Sequence, residues 1–168
     1  MSTQTFRPVW YPIYIGTHHS FEPFLAAAME YRRLVTSSAI GHLARIEWSK
    51  KRSKVDVTLC HAEHLGLDRP HRLSELYDLA VSRGLHPCVP EIAPALFEQF
   101  PSRRWQNEYV RLAMKGLPSA RHQEPELFGI LWKTRVGRPY LNTNHESADH
   151  LQDHRILRAW SKQPSSQD

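Results

Sequence analysis

The chain reads as a single α+β domain in which two to three helices pack on a mostly antiparallel sheet, and three observations predict this class. Its 168 residues make one domain, enough to bury roughly two thirds of the surface an unfolded chain exposes. A 40% hydrophobic and 23% charged composition is globular, and 12 prolines against 7 glycines imply stiff turns and short elements rather than a long bundle. Stretches of period two and of helical period both occur along the chain. The expected boundaries are a flexible N-terminus over 1–8, the domain over 9–160 and a disordered tail over 161–168.

Tyr11 to Ile15 is rich in β-formers, with Pro12 near its start, which suits an edge strand or a strand entry. Gly16 and Thr17 break it. Ser20 is placed to cap a helix whose apolar positions Phe24, Leu25, Ala28, Tyr31 and Leu34 recur at helical spacing, with Pro23 in the first turn where a missing donor costs little. Thr36 to Gly41 reads as a small-residue connection, and Leu43 to Trp48 fits a short helix or a strand equally well. Val55, Val57 and Leu59 then alternate with Asp56, Thr58 and Cys60 as a half-buried strand does. After the Asp68–Pro70 turn, Leu73, Leu76, Tyr77, Ala80 and Val81 mark a helix up to Arg83. Glu75 and Asp78 lie toward its start and Arg83 in its last turn, matching the helix dipole, and Tyr77 is expected in the core.

The stretch from Leu85 to Met114 is the densest in turn signals and clustered polar groups. Pro87, Pro90 and Pro94 forbid a long helix there by removing backbone donors. Ala95 to Phe100 leaves room for one to two helical turns, ended by Pro101. Glu108 to Met114 alternates as a strand with one apolar and one mixed face, and Leu127 to Thr134 is a further strand. Asn142 to His154 reads as a polar, His-rich loop, followed by a last strand from Ile156 to Trp160.

The string Gly84, Leu85, Cys88, Pro90, Glu91, Pro94, Leu96, Gln99, Phe100 and then Glu108, Tyr109, Ala113, Met114 resembles a motif of a family of small uncharacterised bacterial proteins. The likeness reaches more weakly to Ile15, Gly16 and Thr17, and departs from the motif where Val89 separates Cys88 from Pro90. It implies one compact fold and carries no assigned activity.

A net charge of +5 and a pI near 9.4 favour anionic partners, because Lys and Arg gain by displacing counterions from phosphates. Lys50, Lys51, Arg52 and Lys54 form the strongest local cluster, with Trp48 two positions upstream as an aromatic that can stack on a base; Arg103 and Arg104 form the second. The leading expectation is a non-enzymatic accessory protein contacting nucleic-acid phosphates through these residues, without cofactor. Its alternative is a protein partner bound through an apolar and aromatic surface. Glu91 and Glu108 are expected to pair with Arg103 or Arg104.

A strand, a Gly16–Thr17 turn and a helix start also outline an anion site, with His18 and His19 beside it, although no phosphate-loop pattern is present. Cys60, His64, His86 and Cys88 are the alternative metal set, at spacings unlike zinc hooks. Cys88 with His86 is the alternative catalytic pair, since no nucleophile elbow or His-Glu-x-x-His helix occurs. No apolar run of about 18 residues is present to span a bilayer. With no signal-peptide core and two cysteines, the expected compartment is the cytoplasm, with both cysteines as thiols.

Overall fold

The alternation over Val55 to Cys60 becomes the longest strand of a mixed sheet, and the rest of the molecule is arranged about it. The structure, a computed structural model, describes residues 6–100, 107–132 and 137–162. In chain order these form β1 (Tyr11–Ile15), α1 (Phe21–Glu30), β2 (Leu34–Val35), α2 (Ser37–Leu43), β3 (Ser53–His61), a 3-10 turn (Ala62–Leu65), β4 (His71–Arg72) and α3 (Leu73–Ser82). Then follow β5 (Leu85–His86), α4 (Ile92–Gln99), β6 (Tyr109–Leu112), β7 (Glu126–Leu131), β8 (Tyr140–His145), β9 (Leu151–Gln152) and β10 (Leu157–Lys162).

The main sheet runs β1-β3-β10-β6-β7-β8-β2, with β5 also paired to β10. All pairings are antiparallel except β10 with β6 and β2 with β8. The α+β architecture expected from the sequence is therefore the one observed. Among the described residues no helix is long and apolar enough to cross a membrane.

Several elements depart from the sequence reading. Helix α1 stops at Glu30, because Arg32 takes a left-handed conformation (φ 53°) and its neighbour Arg33 donates back to the Ala28 carbonyl. Leu34, expected on the helix, joins β2 and pairs with Tyr140 of β8. The expected connection over Thr36 to Gly41 is α2, which Thr36 caps by accepting the Ala39 N–H on its Oγ1. Helix α4 begins at Ile92 and contains Pro94, since the first N–H groups of a helix have no internal acceptor to lose. The expected loop at Asn142 to His154 contains the strand β8 and the short β9, and β10 continues through Ser161 and Lys162, which pair with His86 and Leu85.

One face of the sheet meets α4, buried from Ile92 to Phe97, and the ring cluster of Tyr11, Phe100 and Trp132. The edge of β1 is closed by a side chain: the Gln99 amide donates to the Tyr14 carbonyl and accepts the Tyr14 N–H, both at 2.7 Å, as a neighbouring strand would. On the other face, Tyr77 of α3 packs edge-on against Trp160, while its hydroxyl bonds both backbone groups of Met114. Beside them lies a buried ion triad. Glu146 accepts two bonds from Arg158, at 2.9 and 3.0 Å, and one from Arg111. Farther along the same face Tyr109 lies across Gly129, donating to Asn142 and accepting from Asn144; a Cβ on Gly129 would overlap the Tyr109 hydroxyl.

Candidate functional site

The basic run expected from the sequence lies in the open. Lys50, Lys51, Arg52 and Lys54 are all exposed, at the entry to β3. Three already have partners: Lys50 donates to the His19 carbonyl, Arg52 stacks over the Tyr14 ring at 4.1 Å, and Lys54 stands 3.4 Å from Asp56. Trp48 is not beside them. The residue is 8% exposed, its ring packs against Phe24 and its indole N–H donates to the Leu43 carbonyl, so it presents no open face for a base to stack on. Arg103 and Arg104 lie outside the described residues.

The Gly16 turn does bind an anion, and the anion is internal. Glu91 is buried, accepts the Gly16 N–H at 2.8 Å on Oε1, and accepts the Ser49 N–H and hydroxyl at 2.9 and 2.5 Å on Oε2. These donors are its partners among the described residues; the expected pairing of Glu91 and Glu108 with Arg103 or Arg104 lies outside them. Gly16 is left-handed (φ 71°), and a Cβ on it would overlap the Lys51 carbonyl, so the turn accepts no other residue without moving. His18 is bound by both Glu98 oxygens, at 2.9 and 3.0 Å. Its neighbour His19 reaches the Ser49 carbonyl at 3.3 Å.

The alternative metal set does not come together. Cys60 is buried on β3 and Cys88 beyond β5, with β10 between those strands, while His64 is exposed on the 3-10 turn. Among the described residues no group of three or more His, Cys, Asp or Glu is placed to hold a metal ion. Nor does Cys88 have the surroundings of a nucleophile. Its thiol donates to the Ala159 carbonyl at 3.5 Å, and burial pushes it well above the ordinary thiol range; burial likewise pushes Cys60 up to about 12.

The structure assembles a different site, around α2. Because β2 docks in parallel on β8, the helix that follows lies against the sheet and turns Ala39, His42 and Leu43 inward. His42 is 5% exposed, sets its ring edge-on to Phe128, and bonds Glu126 Oε2 through Nε2. Glu126 opens β7 and is paired in register with His145 of β8, whose Nε2 stands 3.5 Å from Oε1. Paired backbone bonds between Leu117 and Glu126, at 2.9 and 3.0 Å, close the loop between them. The Ser119 hydroxyl accepts the N–H groups of Arg121 and His122 at the loop's tip. His122 thereby meets His145, with ring centroids 4.4 Å apart and planes at 73°.

These groups line a cleft of about 330 Å³, completed by Ser37, Ser38, Arg45 and Thr143. A second hollow, of about 630 Å³, shares His42 and Arg45 with it and is walled mainly by Ile15, Ile46, Val89, Pro90, Leu117 and Pro118. The two hollows adjoin at His42 and Arg45: the first carries the imidazoles and both guanidiniums beside the Glu126 carboxylate, and the second is mainly apolar, with Glu47 and Glu91 also on its wall. Neither the Arg45 nor the Arg121 guanidinium has a carboxylate partner among the described residues. Arg45 donates its Nε–H to the Gly41 carbonyl at 2.9 Å.

Sequence reading missed this site because its members are scattered: 84 residues separate His42 from Glu126. The one local hint is the excess of histidine after Asn142. Compared with family models, with curated proteins and with solved structures, the chain matches none.

Proposed function

We propose that the protein binds a phosphate-bearing ligand of nucleotide type, a segment of a nucleic-acid strand, in the cleft around α2. What carries the reading is the pair of guanidiniums, Arg45 and Arg121, opening on a cleft whose remaining polar lining is mainly imidazole and hydroxyl. Arginine presents a planar fork of donors that matches phosphate oxygens, and imidazole N–H groups add further donors. The adjoining apolar half is a slot for the flat ring of a base. Both hollows fall in the range of roughly 300–1,000 Å³ usual for ligand sites.

The exposed lysines extend the same reading. Ser49 lines the apolar half and Lys50 follows it directly in the chain, so a strand leaving the cleft would meet Lys50, Lys51, Arg52 and Lys54. Such contacts position a backbone and do not read its sequence.

The test is fluorescence anisotropy with a labelled 2′-O-methyl oligonucleotide across a salt series. Arg45→Ala/Arg121→Ala should weaken binding and flatten the logarithmic salt dependence by about 1.4, since each lost phosphate contact on a single strand removes about 0.7 from the slope. Replacing Lys50, Lys51, Arg52 and Lys54 together should flatten it as well. Absence of binding at low salt, or a slope that the cleft arginines do not change, defeats the proposal.

A further inference from the structure

We propose that the cleft not only holds an RNA strand but cleaves it, by transesterification at the ribose 2′-hydroxyl, with His122 and His145 as proton acceptor and donor. The inference rests on the phosphate-binding reading of the same cleft. Its own ground is a chain of three imidazoles, His42 and His145 on the two oxygens of Glu126 and His122 against the His145 ring, in a cleft also lined by two guanidiniums that have no carboxylate partner among the described residues.

Imidazole is the side chain that both accepts and donates a proton near neutral pH, so two rings can serve two oxygens of one phosphodiester in a single step. His122 and His145 are the rings a substrate can reach: His122 is exposed, the His145 side chain is 38% exposed, and their 73° crossing turns the two ring edges in different directions. His42 is buried and bonded to Glu126, which makes it an anchor. Glu126 bonds His42 on one oxygen and lies near His145 Nε2 on the other, so it fixes the His145 ring and acts as a positioning residue.

The step balances within the substrate. One imidazole takes the 2′-hydroxyl proton, the 2′-oxygen attacks phosphorus, and the P–O2′ bond forms as the P–O5′ bond breaks. The second imidazole gives its proton to the leaving 5′-oxygen. The products are a 2′,3′-cyclic phosphate and a 5′-hydroxyl end, with no oxidant, water or co-reactant consumed. Arg45 and Arg121 line the space where negative charge grows on the non-bridging oxygens, where fixed cations stabilise a transition state most. DNA lacks the attacking hydroxyl and would be bound without being cut.

The experiment incubates the purified chain, with EDTA present, with a labelled RNA, the same sequence as DNA, and its 2′-O-methyl form, reading products by electrophoresis and binding by anisotropy. Expected are cyclic-phosphate ends from RNA alone and a loss of about 100-fold or more in rate for His122→Ala and for His145→Ala. Both variants should lose far less binding of the 2′-O-methyl strand than cleavage, at most about tenfold, the share of one hydrogen-bond donor to a phosphate. Glu126→Gln should also slow cleavage and alter its pH profile; Glu126 and His122 contact His145, and His42, Arg45 and Arg121 are the other titratable or charged groups lining the cleft. His122 sits on an exposed loop, so its replacement tests the chemistry without testing the fold. Binding of the 2′-O-methyl strand with RNA left intact overturns cleavage and leaves the binding reading standing, whereas absence of both overturns the two together. Cleavage of DNA at a similar rate, or cleavage indifferent to both histidines, also overturns the assignment.

Discussion

Replacing Glu146 by glutamine removes the one carboxylate that two guanidiniums share. The Arg158 and Glu146 side chains are 2% and 1% exposed, while Arg111 keeps 26%. In the parent, two parallel bonds join Arg158 to both oxygens and Arg111 adds a third to Oε1. An amide leaves one acceptor among these donors and sets its own NH₂ against a guanidinium, with water excluded. Removing one partner of a buried pair costs about 3–5 kcal/mol, and Arg111 can recover only its own part by turning toward solvent. Against a total stability of about 5–15 kcal/mol, the melting temperature should drop roughly 6–20 °C, at about 2–4 °C per kcal/mol for a chain of this size. Urea unfolding should show the same loss as a lower midpoint with an unchanged slope. Replacing both partners, Glu146→Leu with Arg158→Met, removes the charges together and should restore most of the stability. A Glu146→Gln cost under about 1 kcal/mol, or a double variant no better than the single one, would refute the view that the triad is held by mutual compensation.

Three further outcomes follow from the geometry. Glu91→Ala strands three donors, the N–H groups of Gly16 and Ser49 and the Ser49 hydroxyl, and should cost about 1–3 kcal/mol for the buried Gly16 donor, with the part-buried Ser49 donors adding less each. Hydrogen exchange at the Gly16 amide should accelerate with it, and a protected amide in that variant would sink the assignment. Gly129→Ala drives a Cβ into the Tyr109 hydroxyl and should cost about 1–3 kcal/mol in urea unfolding; a neutral result would mean that Tyr109 does not lie across the strand. Burial raises the Cys60 thiol from 9.0 to about 12 and the Tyr77 hydroxyl from 10.0 to about 12. Their contribution to stability is therefore complete below pH 9 and is lost between pH 9 and about 12, because the unfolded chain ionises first. Urea midpoints measured over that range should fall. The two thiols should stay unreactive toward a disulfide reagent at pH 8 until denaturant is added, and rapid labelling of native Cys88 would contradict its burial.

The local alphabet of the fold is legible in the chain. Alternation over Val55 to Cys60 and helical spacing over Leu73 to Val81 each bury one face, and burial is strong enough to make that pattern decisive; β3 and α3 form there. The strand over Tyr11 to Ile15 and the break at Gly16 were legible for the same reason. Polar strands were not. Asn142 and Asn144 carry no apolar period, and β8 extends through them because β7 supplies their backbone partners and Tyr109 ties their amides down, while β2 pairs only with Tyr140 and Leu141.

The site was decided by tertiary structure alone. Nothing within a dozen residues of His42 names Glu126 as its partner, and the turn at Gly16 looks like an anion site whether its anion is a ligand or Glu91. Only pairing across the sheet sets Glu126 opposite His145, and only the docking of β2 on β8 brings α2 and His42 over them. The physical reason is that periodicity reports which side of an element is buried, whereas a hydrogen bond between residues 84 positions apart depends on which elements meet. Charge clusters such as Lys50 to Lys54 can be read as local strings, but the pairing of a guanidinium depends on the packed chain, which leaves Arg45 and Arg121 facing the cleft.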